Sequence, residues 1–242
     1  MAIYKTSQGL RVKSVSSDPA NIKEGQIWYN SSVKKIKVVP TIGAWASGGN
    51  SSTSKSNLGS FGIQTAAVQA CGIIPPGAPS TDYSQISCEE YDGSSWTTGG
   101  NMGSVGYSIA GAGTQTAGLR FGGSISDPTT SSNISEEYDG SSWTSGETAP
   151  YSQRGAGGSG TQTAAIFHGG KPPTVATAVT YDGTNWAAVA NLATARDDHG
   201  TTNAAAGGNN LAASFNGNIS GGRANTLEEW TEAATTRTVD VS

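Results

Sequence analysis

Three pairs of adjacent carboxylates, Glu89-Glu90, Glu136-Glu137 and Glu228-Glu229, are the first candidates for chemistry in this 242-residue chain. Two carboxyl groups held side by side can divide general-acid and general-base work. Their recurrence argues otherwise, because an active site is single and these pairs return at one place in three of four repeating units. Alternation along a strand sends one Glu of each pair to each sheet face, so they read as acceptors between neighbouring sheets and as solvated edges. Asp92, Asp139 and Asp182, each followed by Gly, read by the same rule as turn formers. The run Gly155-Ala156-Gly157-Gly158-Ser159-Gly160 matches the dinucleotide-binding glycine pattern letter for letter. That pattern needs a following helix whose N-terminus meets the pyrophosphate. A strand-like Gln162-Thr163-Ala164 stretch follows instead, so nucleotide binding is not expected. Cys71 and Cys88 are too few for a disulfide framework. They read as free, half-buried thiols, since a hairpin loop centred near Ala78 sets Val68 opposite Cys88. His168 and His199 are the only histidines and have no ligand spacing around them. Both read as structural, and no metal or other cofactor is expected.

The composition narrows what could position such residues. Glycine numbers 34, about one residue in seven and twice an average share. Charged residues are 13% and hydrophobic residues 35%, a balance that excludes helical bundles and coiled coils. Collagen is excluded because the glycines do not fall every third place. Six Trp, eight Tyr and four Phe at regular intervals argue against disorder. No stretch approaches the roughly 20 apolar residues of a membrane span, and Met1–Lys5 leads into no signal-peptide apolar region; synthesis and assembly in a cytoplasm are expected. Residues 1–55 carry eight of the fourteen basic residues against Asp18 and Glu24, a net +6 that leaves −10 for the rest. Two parts with different tasks are expected. The acidic body is a poor phosphate binder, so nucleic acid is not an expected partner.

Internal repeats decide the architecture. Gly113-Thr114-Gln115-Thr116-Ala117 returns at Gly160, is recognisable at Gly62, and is worn down at Gly208, with starts 51, 47 and 48 residues apart. Tyr91-Asp92-Gly93-Ser94-Ser95-Trp96 returns unchanged at Tyr138 and altered at Tyr181, and the fourth copy keeps Glu228-Glu229-Trp230. Ten residues after each leading glycine stand Gly72, Gly123, Gly170 and Asn218. Each unit reads as four short strands; in the third they fall at 154–159, 162–170, 175–182 and 186–192, with turns at Gly160-Thr161 and Gly183. Four strands at such a period are the signature of propeller blades. The expected blades span about 56–102, 103–149, 152–192 and 195–242, after an N-terminal segment of residues 1–50. Trp96, Trp143 and Trp186 are expected to be buried between blades.

The order Gly-Gly, Tyr-Asp, Trp, then Arg before the next Gly (Arg154-Gly155, and Arg196 ahead of Gly200) resembles kelch repeats over residues 57–242. That resemblance implies an all-β, kelch-like β-propeller of four repeat-encoded blades. Kelch propellers serve as enzymes, adaptors and adhesive modules, so the fold leaves the function open. Kelch-type copper oxidases need two His, Tyr ligands and a Tyr-Cys partner; His168, His199 and Cys71 supply the letters without a pattern that joins them. Thr180 to Trp186 is similar to the Asp-box turn of sialidase propellers but is one residue short between Asp and Gly.

Residues 1–50 differ. Gly25-Gln26-Ile27-Trp28-Tyr29-Asn30-Ser31, then Lys35-Ile36-Lys37-Val38 and Gly43-Ala44-Trp45, read as a hairpin plus a third strand. Trp45 lies 51 residues before Trp96, which makes this segment a candidate for completing a fifth blade. The stretch resembles the N-terminal segments of tail-fibre and other virion proteins of marine bacteriophages, where it precedes a repetitive body. The resemblance implies a non-enzymatic virion structural protein: tail fibre, spike or capsid-surface component, attached to other virion proteins. Trp28, Tyr29, Lys34, Lys35 and Lys37 are the candidate anchor. A carbohydrate-active propeller enzyme and a cellular kelch adaptor are the alternatives. Spacings point to a second surface. The connection between second and third strands varies (19, 15, 11 and 12 residues between landmarks) while Tyr-to-Trp stays at five. Variable loops on a rigid scaffold are where binding residues collect. Ile74, Pro75, Pro76, Asp127, Pro128, Lys171, Pro172, Pro173 and Arg223 are therefore the candidate rim for a host-surface glycan or receptor, and self-association is a further candidate.

Overall fold

The computed structural model describes residues 12–21, 26–38, 47–74, 85–125, 130–202 and 211–231. It is all-β, and no helix occurs among the described residues. The chain divides into two compact units, Met1–Ser47 and Gly48–Ser242.

In the first unit, β1 (Lys13–Val15), β2 (Ile27–Asn30) and β3 (Lys35–Val38) form one sheet. β2 and β3 make the expected antiparallel hairpin. Its turn is shaped by Asn30, whose Oδ1 accepts from the backbone N–H of Ser32 (3.1 Å) and Val33 (3.2 Å). The third strand is β1, running parallel to β2. It precedes the hairpin, whereas the sequence suggested a strand at Gly43-Ala44-Trp45, which lies outside the described residues.

The second unit contains three four-stranded antiparallel meanders. The first is β4 (Gly59–Ile63), β5 (Ala66–Ala70), β6 (Cys88–Tyr91) and β7 (Trp96–Thr98). The second is β8 (Ala110–Thr114), β9 (Ala117–Phe121), β10 (Ser135–Tyr138) and β11 (Trp143–Ser145), and the third is β12 (Gly157–Thr161), β13 (Ala164–His168), β14 (Ala178–Tyr181) and β15 (Trp186–Ala188). A fourth sheet has β16 (Gly200–Thr201), β17 (Leu211–Phe215) and β20 (Leu227–Thr231), with a small hairpin of β18 (Asn218–Ile219) and β19 (Gly222–Arg223).

The recurring letters explain the meanders. Gly160 pairs with Ala165 and Thr161 with Ala164, so the turn is Gln162-Thr163, two residues later than its glycine suggested. The glycine is needed because its φ is +110° and a Cβ there would lie 2.3 Å from the Ala164 carbonyl oxygen. The second turn is held by aspartate, as expected. Asp139 Oδ1 accepts from the backbone N–H of Ser141 (2.8 Å) and Ser142 (2.7 Å), and Asp92 and Asp182 repeat the arrangement. These bonds hold the Asp92 and Asp139 carboxyls well below the usual range. Both turns lie at one end of each sheet, since Gly140 packs on Thr116 and Gly183 on Thr163.

At the opposite end, a glycine corner closes β9 and β13. Gly122 (φ +65°) and Gly169 (φ +68°) approach the Gln153 and Arg196 carbonyl oxygens so closely that a Cβ would meet them at 2.3 and 2.5 Å. The next residue then donates its N–H to the same oxygen: Gly123 to Gln153 O, Gly170 to Arg196 O, each at 2.8 Å. Each sheet is thereby pinned to the segment leading into the next. In the fourth sheet Phe215 pairs with Gly200 as His168 pairs with Gly157. The corner is therefore Asn216-Gly217 (φ +60° and +97°), and Gly217 replaces Asn218 as the landmark. Trp230 pairs with Ala212 as Tyr181 does with Ala165, so it holds the Tyr place.

The core lies between sheets. Phe61, Val68 and Cys88 of the first pack against Tyr138 and Trp143 of the second. Leu119 and Phe121 of the second pack against Tyr181 and Trp186 of the third. Trp143 and Trp186 thus fill these joints, although Trp96, Trp143 and Trp186 are half-buried rather than fully enclosed. They stand on the short outer strand of their sheets. First strands run close together: a Cβ on Gly111 would meet Ser60 O at 2.8 Å, and one on Gly158 would meet Gly111 O at 2.8 Å. A cavity of about 490 Å³ is bordered by the first strands of all four sheets, including Ser60, Gly111, Gly158 and Thr201.

Candidate functional site

Register sends the two members of each carboxylate pair to opposite faces, and all but the exposed Glu229 find a partner. Glu136 accepts from Arg120 Nε at 2.9 Å, and both side chains are fully buried. Glu89 accepts from Ser52 N (2.8 Å) and Gln69 Nε2 (2.7 Å), with Lys55 Nζ at 3.7 Å. Glu228 accepts from Arg196 and from the backbone N–H of Ala193 (2.6 Å). The second Glu reaches the next sheet: Glu137 accepts from the Tyr181 hydroxyl at 2.6 Å, and Glu90 from the Tyr138 hydroxyl. Burial and these carboxylates push both phenols above their usual range. A charged carboxylate in such surroundings requires paired cations or donors. The pairs are thus structural: the first Glu braces its own sheet or the segment leading into it, and Glu90 and Glu137 join it to the next.

The histidines, which the sequence left apart, come together. His199 Nε2 lies 3.0 Å from His168 Nδ1, and the rings are 5.0 Å apart. His168 ends β13 in the place that Phe121 holds on β9, while His199 directly precedes β16. Burial holds both bases down, His168 to about 3 with help from His199 and Arg196, and His199 to about 4 with help from Arg196. Both are neutral near pH 7 and share one hydrogen bond. Among the described residues no group of three His, Cys, Asp or Glu gathers as a metal site would require. The pairing could have been found only from strand register, since 31 residues separate the two rings.

The thiols are free and fully buried rather than half-buried, and Ala70, not Val68, stands opposite Cys88. The hairpin loop is centred one residue further on than the spacing suggested. Burial raises the Cys71 thiol to about 12 and the Cys88 thiol to about 11. Cys71 takes the corner position held elsewhere by Gly122 and Gly169, at φ +59°.

The loop end brings some rim residues together and withdraws others. Ile74 is buried (6% exposed) and cannot meet a ligand. Pro75, Pro76, Asp127 and Pro128 lie outside the described residues. Lys171 Nζ donates to Asp197 Oδ1 at 3.0 Å and to Asp198. Partial burial works against its charge, but those carboxylates outweigh it and hold the pKa above the usual value. Lys171 is thus a clasp between the third and fourth sheets, not a free anchor. Asp197 also accepts from Thr174 Oγ1 (2.6 Å) and Asn218 Nδ2 (3.0 Å), which ties in the β18–β19 hairpin carrying Arg223. Pro172, Pro173, Asp198 and Arg223 are the exposed residues of this cluster.

The N-terminal candidates divide by face. Trp28 is buried, and its indole Nε1 donates to Asp18 at 3.0 Å. Asn30 Nδ2 (2.7 Å) and Lys37 donate to the same carboxyl and hold it down to about 2. Trp28 is therefore buried and Lys37 is tied to Asp18 at the surface, while Lys34 and Lys35 are exposed and Tyr29 is half-buried. The other face was missed. Ile27 pairs with Val38 and Tyr29 with Ile36, and Ile27, Ile36 and Val38 are 50–62% exposed. Alternation in the two strands carries that signal, but the basic residues beside it drew attention to the polar face.

No protein-family model matches the chain, and no curated protein matches it.

Proposed function

We propose that the four sheets of the second unit are blades of a kelch-like β-propeller, and that the protein is a non-enzymatic structural component of a bacteriophage virion. Its place is a tail fibre, spike or capsid-surface protein that contacts the host. The observation that carries the reading is the repeated joint: Tyr138 on Glu90, Tyr181 on Glu137, and a buried cation on Glu136, Glu89 and Glu228. Glu90 and Glu137 are occupied in joining neighbouring sheets, and Glu136, Glu89 and Glu228 in bracing their own sheet or the segment leading into it, which supports a display scaffold rather than a catalytic site. The first strands around a common cavity support the blade arrangement. The described residues leave that ring open between the fourth sheet and the first.

Attachment to other virion proteins falls to the first unit. Its support is the exposed Ile27, Ile36 and Val38 face flanked by Lys34 and Lys35, since apolar patches rimmed by charge mark interaction sites. Host glycan or receptor contact falls to the loop end, through Pro172, Pro173 and Arg223. The test is particle incorporation. Deleting residues 1–47 should leave a folded second unit that no longer joins particles. Normal incorporation of the truncated protein would refute the attachment role, and collapse of the second unit would instead make the segment part of its fold.

A further inference from the structure

The two ends of the row of sheets carry the two halves of one joint. On each inner joint, the forward face of a sheet is apolar and fully covered: Val68 and Cys88 of the first sheet, Leu119 and Phe121 of the second, Ile166 and Ala178 of the third. Register places Leu211, Phe215, Leu227 and Glu229 on the same forward face of the fourth sheet. Here the face is open, with Leu211 60%, Leu227 58% and Phe215 39% exposed, and Glu229 exposed among them. Phe215 stands where Phe121 stands, and Glu229 where Glu90 and Glu137 stand.

The rear face of the first sheet is the matching half. Tyr91 holds the place of Tyr138 and Tyr181 but is only half-buried, and among the described residues no glutamate faces its hydroxyl. The connecting segment that accompanies this tyrosine in an inner joint is already present. Gly48 and Gly49 lie against Tyr91 and Ser94 as Gly99 and Gly100 lie against Tyr138 and Ser141. Gly49 O accepts from Trp96 Nε1 (3.1 Å) as Glu147 O accepts from Trp186 Nε1 (2.8 Å). Among the described residues of one chain, no hydrogen bond or ring contact joins the two halves.

We infer that the open face of the fourth sheet is an interface for a second copy of this chain, occupied by the rear face of that copy's first sheet. Tyr91 of one copy donates to Glu229 of the other, and Trp96 stacks on Phe215 as Trp186 stacks on Phe121, whose ring centroids are 5.3 Å apart. The contact is head-to-tail, so copies build a closed ring or an open filament according to the rotation per copy. The inference rests on the blade reading of the sheets and is independent of the virion reading.

The experiment uses the full chain. Tyr91→Cys and Glu229→Cys chains are mixed and treated with a short bis-maleimide; the native thiols are buried and stay unreacted. A two-chain product from the mixture, absent from either variant alone, is the expected result. Leu227→Lys, on a side chain exposed in the single chain, should weaken self-association in sedimentation by about tenfold or more without altering thermal unfolding. If Leu227→Lys misfolds, the cysteine mixture decides. A chain that stays monomeric at all concentrations overturns the inference. So does a Tyr91→Cys/Glu229→Cys double variant that links within one monomer, because the ring then closes on itself. A Glu137→Cys/Tyr181→Cys double variant must link within one chain whatever the assembly. Its failure would remove the blade reading, whereas its success beside a monomeric chain removes only this interface.

Discussion

The Tyr181 hydroxyl donates to Glu137 Oε1 at 2.6 Å across the boundary between the third sheet and the second. The bond joins residues 44 apart in sequence, close to one repeat. Tyr181→Phe keeps the ring in the joint but leaves Glu137 without its donor. A loss of about 1.5–3 kcal/mol is expected, as for hydrogen bonds to charged groups. Chemical denaturation measures it, and an unchanged midpoint would mean that the bond adds nothing to the joint.

Trp186 packs on Phe121, Phe167 and Tyr181 at ring-centroid distances of 4.8–5.6 Å. Because the indole is half-buried, Trp186→Ala should cost about 3 kcal/mol, the low end for buried aromatics. Equal losses at Trp143 and Trp186, read from unfolding curves, would mark the two joints as equivalent.

Gly160→Ala places a Cβ 2.3 Å from the Ala164 carbonyl oxygen at φ +110°. Strain of at least about 1–3 kcal/mol follows, visible as a lower melting temperature. An alanine tolerated there would show that the hairpin has another geometry.

The histidine pair makes the joint between third and fourth sheets sensitive to acid. Folding lowers His168 from 6.5 to about 3 and His199 from 6.5 to about 4. Between those values the unfolded chain binds more protons than the folded one. Stability is thus complete above about pH 6.5 and is lost as pH falls through 4 toward 3. Arg196 opposes protonation, while Asp197 and Asp198 favour it at His199. His168→Phe, which restores the residue type of Phe121, should flatten this dependence in melts at pH 4.5 and 7.5. An equally steep loss in the variant would place the acid sensitivity elsewhere.

Much of this architecture was legible because the repeat spacing and the turn letters are local. Tyr91-Asp92-Gly93 states a turn and its partner strand within six residues, and the carboxylate pairs declare themselves by recurring. What failed depended on register. A shift of one residue moves the fourth corner from Asn218 to Gly217, and a turn displaced by two moves Gly160 into a strand. Whether Trp28 or Ile36 faces solvent is decided by what meets each face of the hairpin, and Asp18, which holds Trp28, Asn30 and Lys37, comes from outside the motif. Lys171 looked free because Asp197 and Asp198, its partners, lie in the segment leading into the next sheet. The His168–His199 contact was illegible for the same reason.

Purified phage particles test most directly whether the protein resides on the virion surface. Quantitative mass spectrometry of particles, with cryo-electron microscopy of antibody-labelled virions, should find the chain at a fixed copy number on the particle surface. Its loop end, with Pro172, Pro173 and Arg223, should point outward. Particles that lack the chain while infected cells contain it would contradict the account.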